Sequence, residues 1–335
     1  MSEILNVLYT FDENYAAFAG ISMHSLFENN RDIENIRVFL AAERLSDKSR
    51  QRLSDEAERF DRKVIFVDTS HLAEKIKNLG IPDYRGSSSA NFRLFFDLFI
   101  PKDVQRLLYL DSDTLVVGSL SPLLTLDMGG KTVGAVRDSL TSKYKTLIGM
   151  REDEDYFNTG VLLIDVEAWR TANIPERIAA HVRKARSSYA NPDQDLLNIV
   201  LRGDKYILPP KYNFQPSHRA FSDKDYFSAF KQNKYYTSEE LEDARHDPAI
   251  LHIYRFLGDF PWHSGNLHPD TPVFDKYMKD SLWSEYKKKP SDRGLAFKIE
   301  KLLFRTLPRG LFLWLFALIS FWDFKRRDRI LKTKK

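Results

Sequence analysis

The most informative stretch of the sequence is Arg106-Leu-Leu-Tyr-Leu-Asp-Ser-Asp113, in which a short apolar run is followed by two aspartates one residue apart. The apolar run predicts a buried β-strand. Ligands of open α/β sheets bind beyond the carboxyl ends of the strands, so Asp111 and Asp113 lie where a ligand is expected. Two carboxylates on one side can hold Mg²⁺ or Mn²⁺, which can bridge to diphosphate oxygens. The alternative is a turn with two solvated carboxylates.

Strands and helices alternate on both sides of this stretch. Short runs rich in β-branched and aromatic residues predict strands at residues 4–9, 36–41, 64–67, 106–110, 133–136, 161–164 and 250–254. Apolar residues at helical spacing predict helices at residues 15–27, 46–60, 89–100, 174–190 and 194–201. This alternation is typical of βαβ units, and the predicted fold class is α/β with a Rossmann-like, mainly parallel sheet.

Composition limits the classes of protein that are possible. The 335-residue chain has a formal net charge of +4 and contains no cysteine, which excludes disulfides, thiolate catalysis and cysteine-ligated zinc. The N-terminal residues lack the basic region and the cleavage site of a signal peptide, so we expect a cytoplasmic protein. In the C-terminal segment basic residues alternate with apolar ones, which favours a lipid surface over nucleic acid as a partner.

A change in composition near residue 270 predicts two units, an α/β domain over residues 1–270 and a helical extension over residues 271–335. The extension contains a mostly apolar run over residues 311–322, followed by Lys325-Arg-Arg327. A membrane-spanning helix needs about 20 apolar residues, so this run is too short to span a bilayer. A basic amphipathic helix with Trp and Phe is typical of a segment that lies in a membrane interface. The alternative is a helix that packs on its own domain or on a partner chain.

The region over residues 209–247 is polar and aromatic, and it is predicted to be rich in loops. Its aromatic residues suit either stacking on an acceptor sugar or a lid that packs on the domain. They are Tyr212, Phe214, His218, Phe221, Tyr226, Phe227, Tyr235 and Tyr236.

Two other phosphate-handling motifs fit less well. Asp111-Ser-Asp-Thr114 is similar to the nucleophile motif of haloacid dehalogenase phosphatases, but Leu115 stands where that motif prefers Thr or Val. That motif usually follows the first strand, whereas three predicted strands precede this one. Gly129-Gly-Lys-Thr132 resembles the end of a P-loop, but the position of the first P-loop glycine is Thr125.

Several segments, taken in order, resemble glycosyltransferase family 8. They are Tyr9-Thr-Phe-Asp-Glu-Asn-Tyr-Ala-Ala17, Asn91-Phe-Arg-Leu94, Leu108-Tyr-Leu-Asp-Ser-Asp-Thr-Leu-Val116, Tyr156-Phe-Asn-Thr-Gly-Val-Leu-Leu-Ile164, Pro192-Asp-Gln-Asp-Leu-Leu-Asn198, Lys211-Tyr-Asn-Phe214, and His252 with Pro261-Trp262. The resemblance covers residues 3–265. It is closest to the bacterial branch of retaining α-galactosyl- and α-glucosyltransferases that build lipopolysaccharide and capsule-type glycans.

This resemblance implies the GT-A fold, a UDP-galactose or UDP-glucose donor, Mn²⁺ or Mg²⁺, and retention at the anomeric carbon. The implied metal ligands are Asp111, Asp113 and His252. The implied donor-binding residues are Thr10, Phe11, Asp12, Asn14, Arg93, Asp111, Ser112, Asp113, Asn158, Thr159, Gly160, Arg255 and Gly258. The implied catalytic residues are Asp138, Asp193 and Gln194.

The residue types also allow structural roles at several of these positions. Asp12 is a candidate helix N-cap, Arg93 a candidate partner of a nearby carboxylate, and His252 a candidate structural histidine. Asp193 is likewise a candidate helix cap, whereas the family places it at the donor-sugar hydroxyls with Asp138. Gln194 is implied to lie beneath the anomeric carbon. Because an amide is a poor nucleophile, we expect front-face transfer rather than a covalent intermediate, although double displacement stays open.

One segment departs from the family pattern His-x-x-Gly-x-x-Lys-Pro-Trp, in which Gly and Lys touch the diphosphate. The sequence His252-Ile-Tyr-Arg-Phe-Leu-Gly-Asp-Phe-Pro-Trp262 is two residues longer and has Phe260 in place of the lysine. Either Arg255 supplies the missing positive charge or Gly258 is the displaced glycine.

Three functions therefore remain. The first is a hexosyltransferase for bacterial cell-surface polysaccharide, lipopolysaccharide or glycoconjugate, attached peripherally to the inner face of the cell membrane and acting on a glycan or lipid-linked glycan. The second is a nucleotide-sugar- or glycan-binding protein with impaired catalysis. The third is a phosphatase.

Overall fold

A seven-stranded sheet forms the centre of the protein in the computed structural model, which describes residues 4–81, 87–139, 144–185, 189, 191–232 and 234–333. The strands are β1 (Ile4–Asp12), β2 (Asn35–Glu43), β3 (Val64–Phe66), β4 (Arg106–Leu110), β5 (Thr114–Val116), β6 (Val133–Arg137), β7 (Phe157–Asp165), β8 (Lys205–Ile207), β9 (Ile250–His252), β10 (His263–Ser264) and β11 (Lys289–Pro290). The helices are α1 (Ala16–Glu28), α2 (Asp47–Glu58), α3 (Leu72–Asn78), α4 (Ser121–Leu124), α5 (Tyr144–Leu147), α6 (Val166–Thr171), α7 (Ile174–Ala185), α8 (Pro192–Val200), α9 (Pro216–Ala220), α10 (Asp223–Phe230), α11 (Ser238–His246), α12 (Thr271–Asp280), α13 (Leu295–Thr306) and α14 (Arg309–Thr333). The 3-10 helices are Glu13–Tyr15, Ser89–Leu98 and Pro210–Asn213.

The strand order of the sheet is β3-β2-β1-β4-β7-β6-β8. Neighbouring strands are parallel except at β7, which runs antiparallel to both β4 and β6. The prediction of a mainly parallel α/β sheet is therefore confirmed. Strands β1, β4 and β6 end at the same edge, and the first residues of β7 meet them there because β7 runs in the opposite direction. This arrangement brings Asp111, Asp138 and Asn158 to one edge of the sheet.

Both faces of the sheet are covered, and strand β4 contributes to both cores. Successive side chains of a strand point to opposite faces. Leu108 and Leu110 pack in the core that includes residues of α1 and α12, whereas Leu107 and Tyr109 pack in the core that includes residues of α8. A strand buried on both faces has a continuous apolar sequence, which is why β4 was predicted with its observed ends.

The ends of several other elements differ from their predictions. The 89–100 segment was predicted to be an α-helix, but it is a 3-10 helix over Ser89–Leu98 with a break at Phe95, whose φ is −131°. Helix α7 ends at Ala185, and residues 186–188 and 190 of the longer predicted helix lie outside the described residues. The prediction of loops over residues 209–247 is wrong, since this region contains α9, α10 and α11.

Local capping explains two of those short helices, α10 and α11. The Ser222 side chain accepts a hydrogen bond from the Asp225 amide at the start of α10, and Thr237 forms a capping box with Glu240 at the start of α11. Helices this short have too few apolar positions for a periodic signal. Most aromatic side chains of the region are buried, and Tyr226 has no exposed surface. We therefore assign these buried rings to packing within the domain rather than to stacking on an acceptor sugar.

Residues immediately after the predicted boundary at residue 270 also pack on the α/β domain. Phe274 and Tyr277 of α12 and Trp283 are buried in the core that contains α1. The indole of Trp283 lies so close to Gly20 that a Cβ at that position would overlap it. The packing thus places residues 271–283 with the first unit, because their apolar side chains complete its core.

The C-terminal part of the chain forms α13 and α14, which pack on the domain through one side. Phe304, Phe312 and Leu313 are buried in a separate apolar cluster with Phe221 and Tyr226. Large apolar side chains remain exposed on these helices, namely Leu295, Ile299, Leu302, Leu311, Trp314, Leu318, Ile319 and Trp322. Among the described helices, none combines the length and the apolar character needed to cross a bilayer.

Candidate active site

Three side chains that could ligate a metal converge at the edge of the sheet. Strand β5 pairs with β9, so that Thr114 faces His252 and the preceding Asp113 lies beside the imidazole. The His252 Nε2 atom is 3.3 Å from Asp113 Oδ1 and 3.8 Å from Asp111 Oδ2. One potential ligand atom from each of the three residues lies within 4.8 Å of the others. Two carboxylates and one imidazole form a suitable donor set for a divalent cation.

The orientation of His252 is set by two asparagines. Its Nδ1 atom is 3.0 Å from the Asn213 Oδ1 atom, which only accepts hydrogen bonds. Nδ1 therefore donates its proton to Asn213, which directs Nε2 towards the two carboxylates. Asn213 in turn donates through Nδ2 to Asn158 Oδ1 at 2.9 Å. Such a partner behind a metal-ligating histidine holds the ring in place.

Gly160 allows β7 to approach the imidazole. An added Cβ at this position would lie 2.6 Å from Nδ1 and 2.8 Å from Nε2 of His252. The Gly160 carbonyl also accepts a 2.8 Å hydrogen bond from the Asp111 amide. Glycine is therefore required because the backbone itself forms one wall of the candidate metal site.

Arg93 connects the metal site to the adjacent polar pocket. Its guanidinium is 2.7 Å from Asp111 Oδ1 and 3.4 Å from Asp193 Oδ2, and it donates to the Thr159 carbonyl at 2.9 Å. The Tyr109 hydroxyl also donates to Asp111 Oδ1, at 2.6 Å. Both donors use the same oxygen of Asp111, so its other oxygen is directed to the side of His252. The interpretation of Arg93 as a partner of a nearby carboxylate is confirmed.

Burial and mutual charge perturb the three candidate ligands. Burial raises the pKa of Asp111, Asp113 adds to this rise, and Arg93 opposes it. Burial alone would raise the pKa of Asp113, but the hydrogen bond with His252 lowers that pKa overall. Burial lowers the pKa of His252, yet the hydrogen bond and charge of Asp113 raise it overall. Two partly buried carboxylates beside one ring are an arrangement that a bound cation would stabilise.

A second group of polar side chains lies next to Arg93. The Gln194 Nε2 atom donates to Asp138 Oδ2 at 3.2 Å and to the Tyr156 hydroxyl at 3.0 Å, while Gln194 Oε1 accepts from the Thr159 amide at 3.2 Å. Asp138 Oδ2 also accepts from Asn158 at 3.0 Å. These bonds hold both ends of the Gln194 amide.

Asp193 belongs to the same network and is not the helix cap that was considered from the sequence. It accepts a 3.2 Å hydrogen bond from the Thr159 hydroxyl, and the N-cap of α8 is Asn191. One network therefore contains the candidate metal ligands, Arg93 and all three predicted catalytic residues.

Asp195 was given no role by the sequence analysis. The structure buries it completely, and its carboxylate accepts hydrogen bonds from Tyr144 at 2.5 Å and Tyr156 at 2.7 Å. Burial raises its pKa to about 7, against the hydrogen bonds that lower it. Since Tyr156 also binds Gln194, Asp195 supports the pocket from behind. The sequence signal for Asp195 was its position in the segment Pro192-Asp-Gln-Asp195, which carries part of the family resemblance. The signal for Asn213, which was also given no role, was its position in Lys211-Tyr-Asn213.

The predicted donor-binding residues at the end of β1 differ in their exposure and in their hydrogen bonds. The Thr10 hydroxyl is 3.0 Å from that of Tyr109, and Phe11 is buried. Asp12 caps the 3-10 helix by accepting from the Asn14 amide at 3.0 Å, as the capping alternative proposed, and Asn14 is exposed. The Ser112 hydroxyl is buried between the two aspartates and makes no hydrogen bond within the described part of the chain.

The loop after β9 contains Arg255 and Gly258. Phe256 and Asp259 exchange backbone hydrogen bonds of 2.8 and 3.0 Å, and the two residues between them have positive φ, 49° at Leu257 and 78° at Gly258. This geometry is a tight β-turn, which accommodates the two extra residues of the loop. The Arg255 guanidinium donates to the Gly258 carbonyl at 3.3 Å and lies 4.6 Å from the centre of the Phe260 ring.

Comparisons with known proteins agree with this geometry. The model of glycosyl transferase family 8 matches residues 6–265. Lipopolysaccharide 1,2-glucosyltransferase of Escherichia coli strain K12 is 27% identical, over 89% of this chain and 84% of that protein. General stress protein A of Bacillus subtilis is 26% identical, over 84% of this chain and 96% of that protein. The galactosyltransferase LgtC, solved with donor and acceptor sugar analogues, is 26% identical with a TM-score of 0.67, over 83% of this chain and 96% of that one.

Proposed function

Because the chain belongs to glycosyl transferase family 8 and has the GT-A fold, we propose that it transfers galactose or glucose from a UDP-sugar to a glycan or lipid-linked glycan. The product would be a bacterial lipopolysaccharide or related cell-surface glycoconjugate. The similarity to a lipopolysaccharide glucosyltransferase and to a galactosyltransferase supports both the donor class and the acceptor class.

The convergence of Asp111, Asp113 and His252 is the observation that carries this proposal. These residues would hold Mn²⁺ or Mg²⁺, and the cation would neutralise the charge that develops on the departing diphosphate. The mixture of carboxylate and imidazole ligands favours Mn²⁺, because Mg²⁺ prefers an all-oxygen site. Arg93 keeps one Asp111 oxygen occupied, which would leave the other available to the cation.

The polar pocket beside the metal site would bind the donor sugar. Asp138 and Asp193 are acceptors for sugar hydroxyls, and Arg93 holds Asp193 in position. Hydrogen bonds at both ends hold the Gln194 amide, which is a weak nucleophile, and we propose that its carbonyl supports positive charge at the anomeric carbon. In front-face transfer the bond from carbon to the UDP oxygen breaks, and a bond to the acceptor oxygen forms on the same face. The acceptor proton passes to the departing phosphate oxygen.

Release of UDP from a panel of UDP-sugars in the presence of Mn²⁺ tests this function. We expect one of UDP-galactose and UDP-glucose to be turned over by the full chain, and Asp113→Asn to abolish that turnover. Asp243→Asn is the matched control, because Asp243 is exposed on α11. Release of phosphate from a simple phosphomonoester without dependence on UDP would contradict the proposal and identify a phosphatase.

A binding protein with impaired catalysis is the second candidate, and the substitution at Phe260 favours it. Phe260 stacks on Trp262 with ring centres 4.3 Å apart, so no lysine amine is present at that position to touch a diphosphate. Tight binding of a UDP-sugar without turnover, for every donor and acceptor tested, would support this second function. Turnover would exclude it.

We also propose that the C-terminal helices rest on the inner surface of the cell membrane, where a lipid-linked acceptor would be available. Trp314, Leu318 and Trp322 lie on one side of α14 and are between 44% and 58% exposed. Basic residues, among them Lys325 and Arg326, follow this apolar side. An apolar surface next to positive charge complements an anionic lipid surface.

Flotation with vesicles that contain anionic lipid tests the membrane proposal. We expect the full chain to float and the double substitution Trp314→Ser with Trp322→Ser to remain in the soluble fraction. Leu98→Ser is the matched control, since Leu98 is 51% exposed outside the C-terminal helices. Point substitutions are preferable to removal of the tail, because Phe304, Phe312 and Leu313 are buried against the domain. Equal flotation of the double variant and the unaltered chain would reject the proposal.

A further inference from the structure

The tight turn Phe256–Asp259 lies between two parts of the proposed donor site. On one side it follows the metal ligand His252, and the His252 ring centre is 4.9 Å from that of Tyr254. On the other side the chain reaches Phe260, which packs 6.5 Å from Tyr15 in the segment after β1. The turn therefore connects a residue that contacts His252 with a residue that contacts the segment after β1.

Helix α13 contacts this turn through one side. Phe297 packs on Gly258 so closely that a Cβ at Gly258 would overlap its ring. Lys301 forms an ion pair with the buried Asp259 carboxylate. Phe304 packs edge-to-face on Phe256, with ring centres 5.5 Å apart.

The three residues are spaced by four and three positions, so they lie on the same side of the helix. Each contacts a different residue of the turn, and together they reach Phe256, Gly258 and Asp259. The opposite side of α13 carries Leu295, Ile299 and Leu302, which are between 48% and 71% exposed. An ordinary surface helix packs through one apolar side and contains no buried ion pair. Helix α13 has large apolar residues on two sides, and the side that faces the turn also carries the ion pair of Lys301.

Among these contacts, the ion pair of Asp259 with Lys301 involves a fully buried carboxylate. It has no exposed surface, and His263 Nδ1 lies 3.2 Å from its Oδ1 atom. Burial alone would raise the pKa of Asp259, but hydrogen bonds from Lys301, Ser291 and His263 lower it overall. The carboxylate is therefore charged, and removal of Lys301 would leave a buried charge without its main partner.

The Phe256–Asp259 turn also holds Arg255 in place. The Gly258 carbonyl accepts a hydrogen bond from its guanidinium, and the Phe260 ring lies against the same group. Arg255 is the one positive residue that this loop offers in place of the family lysine. Displacement of the turn would therefore move the Arg255 guanidinium, which is the positive group available to the diphosphate.

We propose that Phe297, Lys301 and Phe304 are positioning residues that hold the Phe256–Asp259 turn, so that affinity for a nucleoside diphosphate depends on the C-terminal helix α13. This inference rests on the proposed function, because it assumes that the diphosphate of the donor lies beside the turn. The three residues act through Arg255 and the turn backbone and do not touch the donor.

Binding of UDP and of UMP to the full chain, measured by titration calorimetry with Mn²⁺, tests the proposal. We expect Lys301→Ala to weaken UDP binding about tenfold, in the range seen when a residue that supports a binding group is removed. UMP lacks the second phosphate, so its affinity should change by less than about twofold. A twofold change is about the precision with which the effects of independent sites add. Lys301→Arg keeps the charge and should restore UDP binding, and Lys298→Ala, on the exposed side of α13, should have no effect.

A second variant guards against loss of the fold. Lys301→Met combined with Asp259→Asn removes both charges and leaves no unpaired buried carboxylate. It should also weaken the binding of UDP more than that of UMP. Equal losses for the two nucleotides, or UDP affinity unchanged in both the single and the double variant, would overturn the inference while leaving the proposed function intact. Failure of the unaltered chain to bind UDP would overturn both.

Discussion

The two sides of the proposed donor site are held in place in different ways. On the metal side, backbone hydrogen bonds of 2.8 Å join Asp111 to Gly160 and Ile253 to Asp113, so the ligands are attached to the strands themselves. On the other side, the turn Phe256–Asp259 is held by side chains of α13, which are far away in sequence. The comparison teaches that the candidate metal ligands depend on the sheet, whereas the turn depends on the C-terminal tail. Four predictions test this difference, in order of decreasing effect.

The largest effect is expected from Asp111→Asn. This change removes charge from a candidate ligand and disturbs the partner of Arg93. A metal contributes several kcal/mol to stabilisation of a leaving group, so we expect kcat/KM for UDP-sugar turnover to fall about 1,000-fold or more. Steady-state release of UDP, measured beside Asp243→Asn, checks this. A loss of less than about tenfold would mean that the metal side does not carry the chemistry.

Gly160→Ala should weaken Mn²⁺ binding by about 10- to 100-fold, because the new methyl group would displace the imidazole of His252. Titration of Mn²⁺ followed by electron paramagnetic resonance measures the affinity. Gly294→Ala is the matched control, since a Cβ at Gly294 meets no atom within 4 Å. Unchanged Mn²⁺ affinity in Gly160→Ala would show that His252 is not a ligand.

Asn213→Ala should weaken Mn²⁺ binding by about tenfold, since His252 would lose the acceptor at Nδ1 that orients its ring. Asn213→Asp keeps an acceptor at that position and should recover most of the affinity. The same titration measures both variants. If the alanine and aspartate variants bind Mn²⁺ equally weakly, the role of Asn213 is to support Asn158 rather than His252.

The smallest effect concerns the tail side and its pH dependence. Burial raises the pKa of Glu300 on α13 from its ordinary 4.5 to about 7, and Asp259 adds to the rise. The contribution of Glu300 to the free energy of unfolding is therefore complete below about pH 4.5, and it is lost as the pH rises towards 7. Glu300→Gln stays neutral, so its Tm should exceed that of the unaltered chain by about 2 °C or less at pH 8.

The same variant should show no such gain at pH 5, where the unaltered Glu300 is mostly protonated. Differential scanning calorimetry at the two pH values makes the comparison, with the exposed Glu285→Gln as control. A gain in Tm at pH 5 as large as that at pH 8 would show that titration of Glu300 is not its cause.

The parts of the fold that were predicted well are those in which burial alone shapes the sequence. Strand β4 has apolar residues on both faces and was predicted with its observed ends. Predictions failed where structure depends on short local signals. Helices α10 and α11 are too short for a periodic pattern, and the apolar spacing over Ser89–Leu98 does not reveal the break at Phe95.

The candidate site shows the same division. The acidic pair, His252 and the residues around Gln194 were all named from the sequence, because the residue types that bind metals and sugars are few, and the structure brings them together. Asp195 was missed because its role depends on two tyrosines that approach from other segments, which spacing in the sequence does not reveal.

The sequence by itself determined the α/β class, the family resemblance and the residues at the carboxyl ends of the strands, because these depend on local patterns of apolar and polar residues. Only the tertiary structure decided that Asn213 orients His252, that Gly160 forms a wall of the candidate metal site, and that α13 packs on the turn after β9. These features are contacts between segments far apart in the chain. They arise when the sheet and the C-terminal helices pack together, so no local pattern encodes them.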